Sequence, residues 1–163
     1  MSDQIPVELF TKELFECLDE TFTEHHGVYL DKGTSLFETL QSVSAAEASR
    51  RAGKNCATIA AQVEHVRFYL DVLNDAMLNR SVGKVDWREI WNRVGEVTDQ
   101  EWQSLQRRLR QSYERVMTTI RTYDHAKGEN GVSGSLAVLT HTAYHLGGIR
   151  QALCVIRTPS ETK

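Results

Sequence analysis

The chain has two prolines, Pro6 and Pro159, and none across residues 7–158. Proline removes a backbone N–H and clashes with the preceding turn, so it ends helices and is excluded from central strands. A proline-free interior leaves long helices uninterrupted, and the hydrophobic pattern uses that freedom. Cys56, Ile59, Val63, Val66, Leu70, Leu73 and Met77 step by three and four residues, the seam of a bundle helix. Asn79 to Gly83 closes that helix.

Three further long helices follow from the same period. Phe10, Leu14, Cys17, Leu18, Thr21 and His25 mark one face of the first, with Pro6 at its first turn and Gly27 as its stop. Thr98 and Glu101 have capping-box spacing, and Val97 with Trp102 fits a hydrophobic staple. They open a third helix whose face is Trp102, Leu105, Leu109, Val116, Ile120 and Tyr123. Gly128, Gly131 and Gly134 read as a loop. A last helix then buries Leu136, Leu139, Ala143, Leu146, Leu153 and Ile156. Between the first two long helices, Ser35 with Glu38 and Ser44 with Glu47 predict two short capped helices. Trp87 and Trp91, at i and i+4, predict a short element over one end of the bundle. No run alternates with period two. The expectation is all-α: one four-helix-bundle domain spanning residues 1–163.

Charge narrows the function classes. Lys plus Arg is 19 and Asp plus Glu is 22, a formal charge of −3. A protein that coats nucleic acid carries a basic excess, so no nucleic-acid partner is expected. Eight acids against one base fall in residues 1–31, whereas the third helix carries Arg107, Arg108, Arg110, Arg115 and Arg121. These are either complementary solvated faces or an anion-binding face.

The stretch from Asn130 to Ile149 lacks Asp, Glu, Lys and Arg. However, His141, His145 and several hydroxyl side chains within it would be costly in hydrocarbon, so no membrane span is expected. The acidic start, with Asp3, Glu8 and Glu13, predicts no signal peptide. Cys17, Cys56 and Cys154 form neither a CxxC pair nor a disulfide framework, as expected of a cytoplasmic protein.

The chemistry-bearing residues are histidines. His141 and His145 lie one helical turn apart, so both imidazoles can reach one metal ion. The alternative is two core or rim histidines held by ordinary hydrogen bonds. Thr142 occupies the position where HExxH metalloproteases carry their glutamate, so that general base is absent. A third ligand would come from another helix. His65, beside Val66 of the seam, is the best placed; alone, it also reads as a flanking, solvent-touching residue. Gln62 and Tyr69 flank it at helical spacing and could orient it. Tyr144 and Arg150 lie near the pair. Arg150 could bind a substrate carboxylate or form a common salt bridge. His25 could reach the bundle mouth, and His26 and His125 read as exposed or capping residues near helix C-termini. Cys56 is either a reactive thiol at a helix start or a core residue.

His-Thr-Ala-Tyr-His-Leu-Gly-Gly-Ile-Arg-Gln at 141–151 resembles the signature of the DinB-like (DinB/YfiT-like) putative metal-dependent superfamily. Residues 57–70 resemble that family's first ligand helix. The Trp-rich link before Thr-Asp-Gln-Glu-Trp at 98–102 is similar to its usual layout. The resemblance spans essentially the whole chain. It implies an up-down-down-up bundle and one divalent metal ion, commonly nickel or zinc, held by His65, His141 and His145. Characterised members include thiol-dependent transferases and isomerases. The implied chemistry is therefore activation of a low-molecular-weight thiol, or of water, for attack on a small-molecule substrate. A metal-dependent transferase or hydrolase is one expectation. A non-catalytic metal-binding stress protein and a dimeric helical interaction module are the others. A homodimer is compatible with all three.

Overall fold

The computed structural model describes residues 4–124 and 129–158. His125 and Pro159 lie outside the described residues. Within them the chain forms seven helices and no strand, an all-α fold. They are α1 (Val7–Phe22), α2 (Leu36–Gln41), α3 (Ala45–Ser49), α4 (Ile59–Met77), α5 (Trp87–Asn92), α6 (Asp99–Thr122) and α7 (Glu129–Arg157). The four long ones, α1, α4, α6 and α7, share one apolar core. Leu18 and Phe22 enter it from α1, Val63 and Leu70 from α4, Leu109 and Ile120 from α6, and Leu146 and Ile149 from α7.

The start signals work as chemistry requires. Ser35, Ser44 and Thr98 each accept a hydrogen bond from the backbone N–H three residues on, and Glu38, Glu47 and Glu101 return it. Each pair satisfies donors that a helix N-terminus otherwise leaves orphaned. Trp102 is buried at the start of α6, and its Nε1 donates to the Val43 carbonyl at 2.7 Å. That bond ties the third long helix to the first connection, at the turn between α2 and α3.

Several boundaries differ from the periodic reading. The first helix stops at Phe22, before His25 and Gly27, and Gly27 turns the following loop at φ +82°. The second begins at Ile59 with Thr58 as its N-cap, so Cys56 is an exposed loop residue and not part of the seam. Gly131 and Gly134 are helical, not loop. A Cβ on Gly134 would lie 2.8 Å from the Met77 side chain, and one on Gly131 would run into the Tyr123 ring. These glycines let α7 approach its neighbours closely; helix-breaking is not their role here. Leu136 is 40% exposed. The buried side of α7 instead runs through Ser135, Val138, Thr142, His145, Leu146, Ile149, Ala152, Leu153 and Ile156.

Two arginines of α6 face α4 acids. Arg115 pairs with Asp71 at 2.7 Å and Arg108 with Glu64 at 3.7 Å. Arg67 bridges Glu64 and Asp71 along α4. Arg110 and Arg121 lie over the rings of Phe37 and Phe15. A second polar tie, Thr119 Oγ1 to Asn74 Oδ1 at 2.7 Å, is buried in the same α4–α6 seam. No helix of the described residues is long and apolar enough to cross a membrane.

Candidate metal centre

His65 comes from α4, and His141 and His145 from successive turns of α7. Packing of α4 on α7 puts the three rings together. Their centroids lie 5.1 Å apart for His65 and His141, 4.8 Å for His65 and His145, and 4.6 Å for the α7 pair. One nitrogen from each ring falls within 4.8 Å of the other two. Small side-chain rotations would bring three such atoms to one ion at the ~2.0–2.1 Å of a Zn–N bond.

The rings are taken out of water. His65 and His145 are each 6% exposed. Burial lowers the pKa of His65, and burial with the neighbouring imidazoles brings His141 and His145 down to about 4. All three are therefore neutral near pH 7, the form that offers a lone pair to a metal. Two buried nitrogens, His65 Nδ1 and His141 Nε2, have no hydrogen-bond partner among the described residues, and neither does the Thr142 hydroxyl beside them. Buried polar atoms are nearly always paired, because leaving one unpaired costs about 1–3 kcal/mol. Neutral imidazoles with orphaned nitrogens converging on one point fit a borderline divalent cation such as zinc or nickel.

Aromatic faces hold the rings. His65 stacks on Trp91 of α5 with centroids 4.1 Å apart and planes 14° apart, and the edge of Trp87 closes a second side at 5.7 Å. His141 stacks on Tyr69 at 3.6 Å and 15°. Tyr69 thus contacts a histidine as expected, but chiefly the α7 one. The tryptophan pair, read from sequence only as a cover over the bundle end, supplies a wall of the site. Its i, i+4 spacing was the available signal; its target was not legible.

A cleft of about 710 Å³ opens beside the cluster, with His65, His145, Trp91 and Gln62 in its wall. Gln62 Oε1 lies 3.1 Å from where a Cβ on Gly148 would stand, so this glycine leaves the amide its space. Tyr144 also lines the cleft, though it is 76% exposed. Cys56 stands in the wall as an exposed thiol. Arg150 is elsewhere. Five residues beyond His145 on a helix is about 140° around the axis. Accordingly, Arg150 lines a separate cleft with Thr39, Ser42 and Arg157, and its Nη1 lies 3.4 Å from Thr39 Oγ1. His25 is exposed and absent from the described lining. His26 is exposed and paired with Asp19 at 2.5 Å. With Glu24 they form a second group of possible ligands, on the surface.

The periodic reading also missed Glu20. This α1 carboxylate is 0% exposed. It accepts hydrogen bonds from the backbone N–H groups of His26, Val28, Tyr29 and Leu30 at 2.6–3.2 Å.

Compared with models of protein families, with curated proteins and with solved structures, the chain matches none.

Proposed function

We propose that the chain is a DinB-like metal-dependent transferase or hydrolase. On this reading it holds one nickel or zinc ion through His65, His141 and His145 and acts on a small molecule in the adjoining cleft. The carrying observation is the pair of buried nitrogens, His65 Nδ1 and His141 Nε2, without hydrogen-bond partners among the described residues, beside His145. Three protein ligands and an adjoining open cleft match the pattern of catalytic sites, whereas structural zinc sites usually close with four ligands.

When bound, the ion would supply Lewis acidity that lowers the pKa of a small thiol or a water. The chain's own residues do the rest. Trp91 and Tyr69 fix the planes of His65 and His141, so less ordering is left to the moment of binding. Burial keeps the imidazoles unprotonated. Gln62, in the cleft wall next to His65 by helical spacing, offers an amide that can donate to or accept from a bound molecule. The cleft favours this reading over a purely structural metal tie, which needs no opening beside its ligands. Three cysteines outside any disulfide fit a reducing, cytoplasmic setting. The homodimer expected from the sequence is carried with this reading and is checked by sedimentation.

The test is metal content. Untagged protein loaded with nickel or zinc and then dialysed should retain about one ion per chain. His65→Ala and His141→Ala should each lose it. Wild-type protein that takes up neither metal overturns the proposal. Retention should then be followed by a screen for thiol-dependent turnover of small electrophiles.

A further inference from the structure

The cleft beside the histidines is walled by uncharged groups. Its described lining contains no Asp, Glu, Lys or Arg. Trp91, Ala152 and Val155 supply apolar surface, Gln62 and Gln151 supply amides, and Cys56 supplies a thiol. Arg150 of α7 opens onto a different cleft. Arg51 reaches this region only by donating to the Cys56 carbonyl at 2.7 Å and is not part of the wall. A volume of about 710 Å³ is in the range of small-molecule sites. In the metal-free protein an anionic ligand entering here would shed its hydration shell and meet no cation among the wall residues, which is unfavourable. A flat apolar ligand would meet the Trp91 indole and the Val155 side chain. Two amides would remain for one or two neutral polar atoms.

From this we infer that the walls of the cleft, apart from any atom a bound metal ion would itself hold, select an uncharged, largely apolar small molecule, of aromatic size or larger, in preference to carboxylated or phosphorylated ones. This deepens the function proposed above, and rests on it for what happens to the ligand once bound. Cys56 reports occupancy, because it stands in the wall. Cys154, the other exposed thiol, lies in the Arg150 cleft and serves as the reference.

Two probes that share one skeleton and differ in charge test the inference on the whole protein, titrated free of metal. They are N-phenyl-1-naphthylamine, which is neutral, and its 8-sulfonate, which is anionic. Fluorescence titration should give at least about tenfold tighter binding of the neutral probe, because the sulfonate loses water without gaining a partner. With the neutral probe at ten times its Kd, alkylation of Cys56 by N-ethylmaleimide should slow about tenfold by mass action, with Cys154 unchanged. Gln151→Lys, on the exposed side of α7, places a cation in the wall. It should narrow the preference by raising affinity for the sulfonate. Equal or tighter binding of the sulfonate by the wild type overturns the inference. So does saturation by the neutral probe that leaves Cys56 fully reactive. Zinc uptake is read separately, on aliquots of the same protein. Protein that prefers the neutral probe but takes up no metal refutes the metal-dependent function and upholds the binding class. Protein that takes up zinc and prefers the sulfonate does the reverse.

Discussion

Glu20 and the three histidines are both polar groups withdrawn from water, and the fold treats them in opposite ways. Glu20 is saturated. Burial alone would raise its pKa, but the backbone N–H groups of residues 26, 28, 29 and 30 outweigh that and hold it at about 2. The carboxylate thereby fixes the loop that leaves α1. At the α4–α7 contact, burial also disfavours charge, yet two ring nitrogens find no hydrogen-bond partner among the described residues. A fully paired buried group stabilises the fold it belongs to. A buried group left unpaired is a standing cost that a ligand can remove. The same contrast appears on two sides of α4. Toward α6, Glu64, Asp71 and Asn74 all find partners; toward α5 and α7, His65 stacks on Trp91 of α5, and its Nδ1 has no hydrogen-bond partner among the described residues.

The largest expected effect divides the two regions cleanly. His145→Ala should abolish metal retention, at least a hundredfold in Kd, and leave folding of the metal-free protein within about 1 kcal/mol, because the packing lost is offset by removing a buried polar ring. Glu20→Gln should do the opposite. Metal affinity should stay, while chemical denaturation shows a loss of about 2–4 kcal/mol as charge-assisted bonds to the loop are weakened. Glu20→Gln protein with wild-type stability would break the comparison. Metal at a hundred times Kd should raise wild-type stability by about 2.7 kcal/mol, a gain retained in Glu20→Gln and absent in His145→Ala.

Acid should expose the carboxylate separately. The folded pKa of Glu20 is about 2 against an ordinary 4.5. Its contribution is therefore fully present above 4.5. It disappears as pH falls toward 2, because the unfolded chain takes up the proton first. Denaturation curves between pH 5 and 2 should fall less steeply for Glu20→Gln than for wild type; parallel curves would remove the carboxylate from this role.

A smaller effect belongs to the stacking wall. Trp91→Ala should weaken metal binding about tenfold to a hundredfold, while Trp91→Phe retains most of it, since a ring face suffices. Equal losses in both variants would point to a general packing defect. The smallest effect is within α7. Gly147 has open space where a Cβ would go, so Gly147→Ala should stabilise by about 0.5–1 kcal/mol. Gly134→Ala, against the buried Met77, should cost about 1 kcal/mol or more. Thermal melts would separate the signs.

How much of this was legible varies with the range of the interaction. Capping boxes at Ser35, Ser44 and Thr98 span three residues and were readable as they stand. The His141–His145 pair was readable for the same reason: one turn of helix brings i and i+4 together in any fold. His65 could be placed beside a core face and named as the best-placed third ligand, but alone it also reads as a flanking, solvent-touching residue; its resemblance to a known ligand helix strengthens the link to the pair. Cys56 continued the seam by count alone; the Thr58 cap ends the helix before reaching it. Arg150 was close in sequence and is on the wrong side of the helix.

The sequence by itself determined local structure: a proline-free run with three-four periodicity, helix starts whose donors are capped within one turn, and two imidazoles on one helical face. Tertiary structure alone decided what those faces meet. It brought His65 and Trp91 to the α7 histidines, folded the 26–30 loop onto Glu20, and turned Gly131 and Gly134 from apparent breakers into points of close approach. Periodicity states which side of a helix leaves water, because burial is non-directional. Which neighbour receives that side depends on shape and on pairing of polar atoms across the whole chain, and those exist only once the helices have packed.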